Sequence, residues 1–212
     1  MSHYDVRRPA RAGARAVRQN VGMSEGTMVG RLLVATPQLA DPNFTRSVVL
    51  IVQHHEEGAV GVVLNRPTQV AVGEVLPRWA SLVSDPTVLF RGGPVSPEGA
   101  ICLGGLQDGA LPPDGWRRLD DDRLESLGLV DLEAPPVMLA ESIDGMRVFA
   151  GYAGWTTGQL EREIADGAWY LLPAEPADAF QTDPHVLWAN VLRRQGGQLA
   201  MLATLPQDPT LN

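Results

Sequence analysis

The stretch Ser47-Val-Val-Leu-Ile-Val-Gln-His-His-Glu-Glu-Gly-Ala-Val-Gly-Val-Val-Leu64 decides the fold of this chain. Its first run, Ser47 to Val52, is almost continuously apolar and β-branched, which is typical of a central strand buried on both faces. Glu56-Glu57-Gly58 predicts a turn, and the second apolar run, residues 60–64, predicts a partner strand. We therefore expect a β-hairpin here.

Shorter strand-like runs lie on both sides of this hairpin. We predict strands at residues 32–35, 88–90, 100–103, 168–172 and 199–205. A second hairpin is expected over residues 137–150, because Asp144-Gly145 between two strand-like runs is a strong turn signal. Residues 105–117 are rich in Gly, Pro and Asp, and we expect a surface loop there.

Helical patterns are fewer. A short helix is predicted between Val72 and Trp79, bent or ended at Pro77. The acidic residues 120–122 favour the start of another short helix, because carboxylates stabilise a helix N-terminus.

Two further helices carry end signals. Over residues 155–164, Thr156 and Gln159 fit a capping box. For the last helix, Asp183 is the predicted cap and Gly196 the predicted stop. Several turn-linked strands with few helices between them favour an α/β fold of the α+β type, a single domain with a mixed, largely antiparallel sheet and packed helices.

Length and composition agree with one globular domain. The chain has 212 residues, of which 44% are hydrophobic and 20% charged, enough to bury a core without crosslinks. We predict a disordered basic N-terminal arm over residues 1–26, an α/β domain over residues 27–205, and a C-terminal tail over residues 206–212.

The net charge of −8 is unevenly distributed. Residues 1–24 hold five Arg and one Asp, a net charge of +4, which leaves twelve Arg against 24 Asp and Glu, or −12, in the remainder. An acidic body repels the phosphate backbone, so nucleic acid is an unfavourable partner for the folded part. We expect the arm to be a solvated tail, with contact to an anionic partner as the alternative.

The sequence also indicates the cellular compartment of the protein. Cys102 is the single cysteine; it excludes an internal disulfide, and its apolar neighbours predict a small buried hydrophobe rather than a reactive nucleophile. No apolar run of about 18 residues predicts a membrane helix, and no apolar region follows the basic arm as in a secretory signal. We expect a cytoplasmic protein without a membrane partner.

Common catalytic and cofactor motifs are missing from the sequence. It contains no phosphate-binding loop, dinucleotide fingerprint, HExxH or GxSxG. His54 and His55 would point to opposite faces of a strand, which disfavours a metal site. Glu161 and Glu163 do not share a helix face and so do not form an acid–base pair. No metal or cofactor is predicted.

Two loop features could bind an anion. Arg66, after the second apolar run, is either an anion clamp or an ion-pair partner within the acidic body. Gly92-Gly93-Pro94 could present backbone N–H groups to an anion, or could simply form a tight turn after a strand.

Four ordered segments carry a family resemblance. They are Gly30-Arg-Leu-Leu-Val-Ala-Thr-Pro37 with Asp41-Pro-Asn-Phe44, Gly58-Ala-Val-Gly-Val-Val-Leu-Asn-Arg-Pro67, Phe90-Arg-Gly-Gly-Pro-Val95, and Gly151-Tyr-Ala-Gly-Trp-Thr-Thr-Gly-Gln-Leu-Glu-Arg-Glu163. Over about residues 28–200 the chain resembles the bacterial AlgH/YqgE family. The resemblance implies an α/β fold around a mixed sheet and carries no activity with it.

Three functional hypotheses follow. The leading one is a non-enzymatic cytoplasmic protein that binds a small anionic ligand or a protein partner, through a surface formed by Asn65, Arg66, Gly92, Gly93, Trp155, Gln159 and Glu163. The second is an enzyme of unrecognised type that uses Glu163 or Asp41 with Arg66 on an anionic substrate. The third is the transcriptional-regulator label attached to AlgH, with DNA held by the arginine-rich arm.

An architectural alternative applies to the last family segment. Glycines 154 and 158 with Trp155 could simply build a corner between a strand and a helix, where glycine allows the turn and tryptophan fills the core.

Overall fold

The structure, a computed structural model, describes residues 27–205. The predicted basic arm, residues 1–26, and the predicted C-terminal tail, residues 206–212, therefore lie outside the described residues. The strands are β1 Arg31–Ala35, β2 Val48–His55, β3 Gly58–Val63, β4 Pro67–Ala71, β5 Val88–Arg91, β6 Val95–Leu106, β7 Trp116–Arg118, β8 Leu127–Val130, β9 Ile143–Thr156 and β10 Trp169–Pro173.

Ten strands form one sheet in the described part of the chain. The hydrogen-bonded order is β10-β1-β2-β3-β9-β6-β8-β7, and β5 joins β4 to β9 beside this path. Among the strands named here, only β5 and β9 run parallel, and every other pair is antiparallel. The predicted hairpin at residues 47–64 is confirmed as β2 and β3.

The helices are short. The α-helices are α1 Val72–Val75, α2 Gln159–Ala165, α3 Leu187–Gln195 and α4 Gly197–Leu202, and 3₁₀ helices cover Pro77–Leu82, Asp122–Leu124, Pro136–Met138, Pro176–Phe180 and Pro184–Val186. Together with the antiparallel sheet they confirm the predicted α+β class.

Both faces of the central strands are buried, as the continuous apolar run predicts. On one face, Leu50 and its neighbours pack under α3 through Leu187 and Val191. On the other, Val49 and Ile51 pack with the residues that precede and begin α2. Successive residues of a strand point to opposite faces, so one β-branched run supplies two cores. Each fully buried Val, Leu or Ile contributes about 1.5–3 kcal/mol to stability.

The predicted hairpin at Asp144-Gly145 is wrong. β9 runs straight through these residues, and Gly145 pairs with Gly105 of β6. β6 is long enough to form backbone hydrogen bonds along this part of β9, so no turn forms. A Cβ at position 145 would lie 2.1 Å from the Oγ of Ser84, so a larger residue there would require the Ser84 side chain to move. Upstream, Pro136 starts a 3₁₀ helix in place of the predicted strand.

The predicted final strand at residues 199–205 is also wrong. Residues Gly197–Leu202 form α4, whose Leu199 and Leu202 pack against the main core beside α3. Gly196, the predicted stop, ends α3 with a positive φ of 73°. The chain reverses there and continues as helix, because the apolar spacing of residues 199 and 202 fits one helical face.

Two boundaries differ from the sequence expectations. α2 begins after Gly158, and Thr156 ends β9, so the predicted capping box does not cap the helix. The side chain of Gln159 nevertheless accepts the Thr156 N–H at 3.1 Å. The predicted surface loop at residues 105–117 includes the buried Trp116, which is the first residue of β7. The Nε1 of Trp116 donates to the Gly104 carbonyl at 2.9 Å.

Candidate functional site

The seven residues singled out from the sequence fall into two groups. Asn65, Arg66, Gly92 and Gly93 follow the ends of β3 and β5, whereas Trp155, Gln159 and Glu163 lie where β9 meets α2. Each group forms its own set of contacts.

Asn65 is a buried amide that fixes the end of β3. Its Oδ1 accepts the Val48 N–H at 3.0 Å, and its Nδ2 donates to the Arg46 carbonyl at 2.8 Å. Only 6% of the residue is exposed. Asn65 therefore satisfies backbone groups at the start of β2 and holds the next residue, Arg66, at the mouth of a cavity.

Gly92 and Gly93 are glycines because the backbone of β9 comes too close for any side chain. A Cβ on Gly92 would lie 2.2 Å from the Gly151 carbonyl oxygen, and one on Gly93 would lie 2.1 Å from the Tyr152 carbonyl carbon. The Gly92 N–H donates to Ala150 at 2.8 Å, and Pro94 has no N–H. Within this segment, the Gly93 N–H is therefore the remaining candidate donor to an anion.

A small cavity of about 140 Å³ opens beside these glycines. Two arginines, Arg66 and Arg91, contribute to its wall, and no acidic residue does. The remaining wall consists of Pro42, Asn43, Val63, Gly93 and Pro94. We call this space the arginine cavity. Arg66 and Arg91 are neighbours in the backbone as well, because the Arg91 N–H donates to the Arg66 carbonyl at 2.8 Å.

The two arginines differ in their partners. Arg66 is half-buried, and its Nη2 donates to the Thr45 carbonyl. Arg91 is exposed, and its guanidinium makes no hydrogen bond or ion pair with any residue in the range 27–205. Burial, and then the positive charge of Arg91, lower the pKa of Arg66. The nearby Asp41 accepts the Asn43 N–H at 2.8 Å through Oδ1 and forms no ion pair with either arginine.

The second group is organised around the carboxylate of Glu163. Its Oε2 accepts the indole N–H of Trp155 and that of Trp169, both at 2.9 Å, and its Oε1 accepts from Gln159 at 2.8 Å. Trp155 is 7% exposed and belongs to the core on this face of the sheet. These contacts agree with the architectural alternative, in which the tryptophan fills the corner between β9 and α2.

Phe44 connects the two groups. Its ring stacks on Trp155 at 6.5 Å between centroids and meets Trp169 edge-on at 5.5 Å. The same loop supplies Pro42 and Asn43 to the arginine cavity and the Thr45 carbonyl to Arg66. The aromatic cluster therefore anchors one wall of the cavity.

Sequence reasoning missed Arg91 and Phe44, although both lie in the quoted family segments. Strand alternation could have identified Arg91, because Phe90 is fully buried and the next side chain must point the other way. Nothing in the sequence pairs Phe44 with two tryptophans more than 100 residues away.

A larger cavity of about 340 Å³ lies at the other end of the β2–β3 hairpin, between His54, Gly58 and Glu161. The Nδ1 of His54 accepts the Met28 N–H at 3.2 Å, so its Nε2 is the protonated nitrogen that donates to Glu161 at 3.0 Å. Both ring nitrogens are occupied, which leaves no free base. The backbone N–H of Glu161, and then His54, lower the pKa of Glu161.

Neither cavity presents an evident metal centre. Within residues 27–205, no group of three or more His, Cys, Asp or Glu side chains is arranged to hold a metal ion. Cys102 is buried in the core, which confirms the predicted small hydrophobe, and burial raises the pKa of its thiol. No helix in the described range is long and apolar enough to cross a membrane.

The fold and motifs define a bacterial class of α+β proteins built on one large, mainly antiparallel sheet. Residues 32–200 match the model of the AlgH-like family, and the chain belongs to that family. A UPF0301 protein of Streptomyces coelicolor is 54% identical over 195 residues, which cover 90% of this chain and 99% of that protein. A UPF0301 protein of Mycobacterium leprae is 48% identical over 86% of this chain and 90% of that protein.

Two solved structures share the fold. The crystal structure of a Corynebacterium diphtheriae protein has a TM-score of 0.78 and 36% identity, and the match covers 84% of this chain and 92% of that one. The solution structure of the AlgH protein from Pseudomonas aeruginosa has a TM-score of 0.61 and 29% identity, with 91% and 100% covered.

Proposed function

We propose that this protein is a non-enzymatic binding protein of the cytoplasm, and that its ligand is a small anion held in the arginine cavity. The observation that carries the proposal is the presence of two guanidinium groups, Arg66 and Arg91, on the wall of one cavity without a carboxylate. Arginine binds oxyanions through paired N–H groups and stays charged at neutral pH.

The electrostatics of the pair support this proposal. Two like charges that face one small space repel each other, and the pKa of Arg66 is lowered by its burial and by Arg91. An anion between them removes that repulsion and adds charge-assisted hydrogen bonds. Arg91 forms no ion pair within residues 27–205, so its charge is available to a ligand.

The carboxylates named in the enzyme hypothesis are already engaged. Glu163 accepts three hydrogen bonds from side chains, and Asp41 accepts the Asn43 N–H at 2.8 Å. A general base needs a carboxylate within reach of substrate and free to take its proton. These contacts favour binding over catalysis at this site. The regulator hypothesis rests on the arm, which lies outside the described residues, and it stays a prediction.

The test is ligand-induced stabilisation of the full chain at constant ionic strength. Sulfate, phosphate or malonate should raise the free energy of unfolding, by about 2.7 kcal/mol at one hundred times Kd. Arg91→Gln should abolish this effect, because it removes a guanidinium that holds no other described residue. The control is Arg117→Gln, an equal change of charge at an exposed strand residue outside the cavity.

Two results would contradict the proposal. One is equal stabilisation of wild type and Arg91→Gln by every anion, which would assign the effect to general ion exclusion. The other is the lack of any stabilisation of wild type above that given by chloride.

A further inference from the structure

The volume of the arginine cavity limits the ligand. About 140 Å³ corresponds to four or five water molecules at about 30 Å³ each. Pockets that enclose drug-sized molecules measure about 300–1,000 Å³. The cavity cannot enclose a whole nucleotide or peptide segment, so the group that enters it has only a few non-hydrogen atoms, and any remaining part of the ligand lies outside.

The charge of the cavity limits the ligand further. Two arginines and no acid line the wall, so a dianion neutralises both charges whereas a monocarboxylate neutralises one. Two positive charges in a partly buried cavity without a carboxylate favour a ligand with two negative charges.

The distribution of hydrogen-bond donors favours a tetrahedral group. The two guanidinium groups supply forked donors, and the Asn43 side-chain amide and the Gly93 N–H are further candidate donors, whereas the Pro42, Val63 and Pro94 side chains supply none. Arg66 follows the end of β3, Arg91 is the last residue of β5, and Gly93 lies in the loop after β5, so these donors belong to separate points of the wall. A phosphate or sulfate directs oxygens toward all of them, and a planar carboxylate directs two oxygens in one plane.

We infer that the arginine cavity selects a tetrahedral dianion of the phosphate type, either inorganic phosphate or the phosphate of a small monoester. This inference rests on the proposed function and names the chemical class of its ligand. The carbon chain of a monoester would extend past the exposed edge of Pro42 and Pro94 into solvent.

The test is isothermal titration calorimetry on the full chain with five probes, inorganic phosphate, methyl phosphate, sulfate, acetate and malonate, at constant ionic strength and about pH 8. The tetrahedral dianions should bind at least tenfold more tightly than acetate and malonate. Arg91→Gln should weaken their binding at least tenfold, and Arg117→Gln should leave it unchanged. Each variant replaces an exposed side chain that makes no hydrogen bond to a residue in the described range, so both proteins should fold.

A pH series provides a second signature. Methyl phosphate loses its second negative charge near a pKa of about 6. Its affinity should therefore fall at least tenfold between about pH 8 and about pH 5. Sulfate remains a dianion over this range, and its affinity should change little. A parallel loss for sulfate would show that the protein titrates instead, and would overturn the selectivity argument.

The outcomes separate this inference from the proposed function. If acetate or malonate binds as tightly as phosphate and depends on Arg91, the ligand class is wrong and anion binding stands. If no probe binds in a manner that depends on Arg91, both fail. Binding of phosphate together with methyl phosphate supports a monoester ligand, and binding of phosphate without methyl phosphate supports the free ion.

Discussion

Arg147 shows how a single buried charge organises three segments of the chain. It is fully buried, and its guanidinium donates to the carbonyls of Asp85, Ala179 and Gln181 at 2.6–3.1 Å. The group lies 4.3 Å over the ring of Phe90, and burial lowers the pKa of Arg147 to about 10. The side chain remains charged at neutral pH and donates to one buried carbonyl, that of Ala179, and to two partly buried ones.

Arg147→Met should destabilise the protein by about 3 kcal/mol, because it leaves three backbone acceptors without donors. Arg147→Lys keeps the charge but has no planar fork to reach all three carbonyls, and it should also be destabilised. Urea unfolding measures both. A loss below about 0.5 kcal/mol for the methionine variant would show that these hydrogen bonds contribute little.

The 3₁₀ helix Asp122–Leu124 is a short element fixed by its cap. Asp121 accepts the Arg123 N–H at 2.8 Å, and its carboxylate is also paired with the Arg123 guanidinium. The helix places Leu124, which is fully buried, in the main core. The pKa of Asp121 is lowered overall: burial alone would raise it, and the hydrogen bonds and charge of Arg123 outweigh that effect.

Asp121→Ala should reduce the free energy of unfolding by about 1 kcal/mol at neutral pH, as expected for the loss of an N-cap. Because the folded-state pKa is lowered, the carboxylate stabilises the fold above the unfolded-state pKa of about 3.9. That contribution is lost as the pH falls through the folded-state pKa. Unfolding curves of the two proteins should therefore converge in acid. A constant difference down to about pH 2 would contradict the electrostatic origin.

At the same scale, sequence patterns predicted elements where local and tertiary preferences agree. The residues 47–64 hairpin has apolar runs for two buried faces and a turn that nothing opposes. Asp144-Gly145 has an equally strong turn signal, yet the long edge of β6 offers continuous pairing, and β9 passes through. The local turn preference failed because the pairing of β9 with β6 outweighs it, and no local pattern encodes that pairing.

The same distinction explains the candidate site. The sequence indicated Arg66 and the glycine pair, because an arginine and two adjacent glycines at the ends of strand-like runs can be recognised from the sequence itself. It could not join Phe44 to Trp155 and Trp169, because that contact depends on the packing of β9, β10 and the loop at residues 39–46. The arginine cavity is a product of the tertiary fold, and the aromatic cluster anchors one of its walls.

For the whole molecule, the central claim is that the arginine cavity binds an anion. The most direct test is a crystal structure of the full chain with tungstate, a tetrahedral dianion whose anomalous scattering locates it without ambiguity. We predict a peak in contact with the guanidinium groups of Arg66 and Arg91, and its loss in Arg91→Gln crystals. An empty cavity in crystals that bind tungstate elsewhere, or a peak that persists in Arg91→Gln, would contradict the claim.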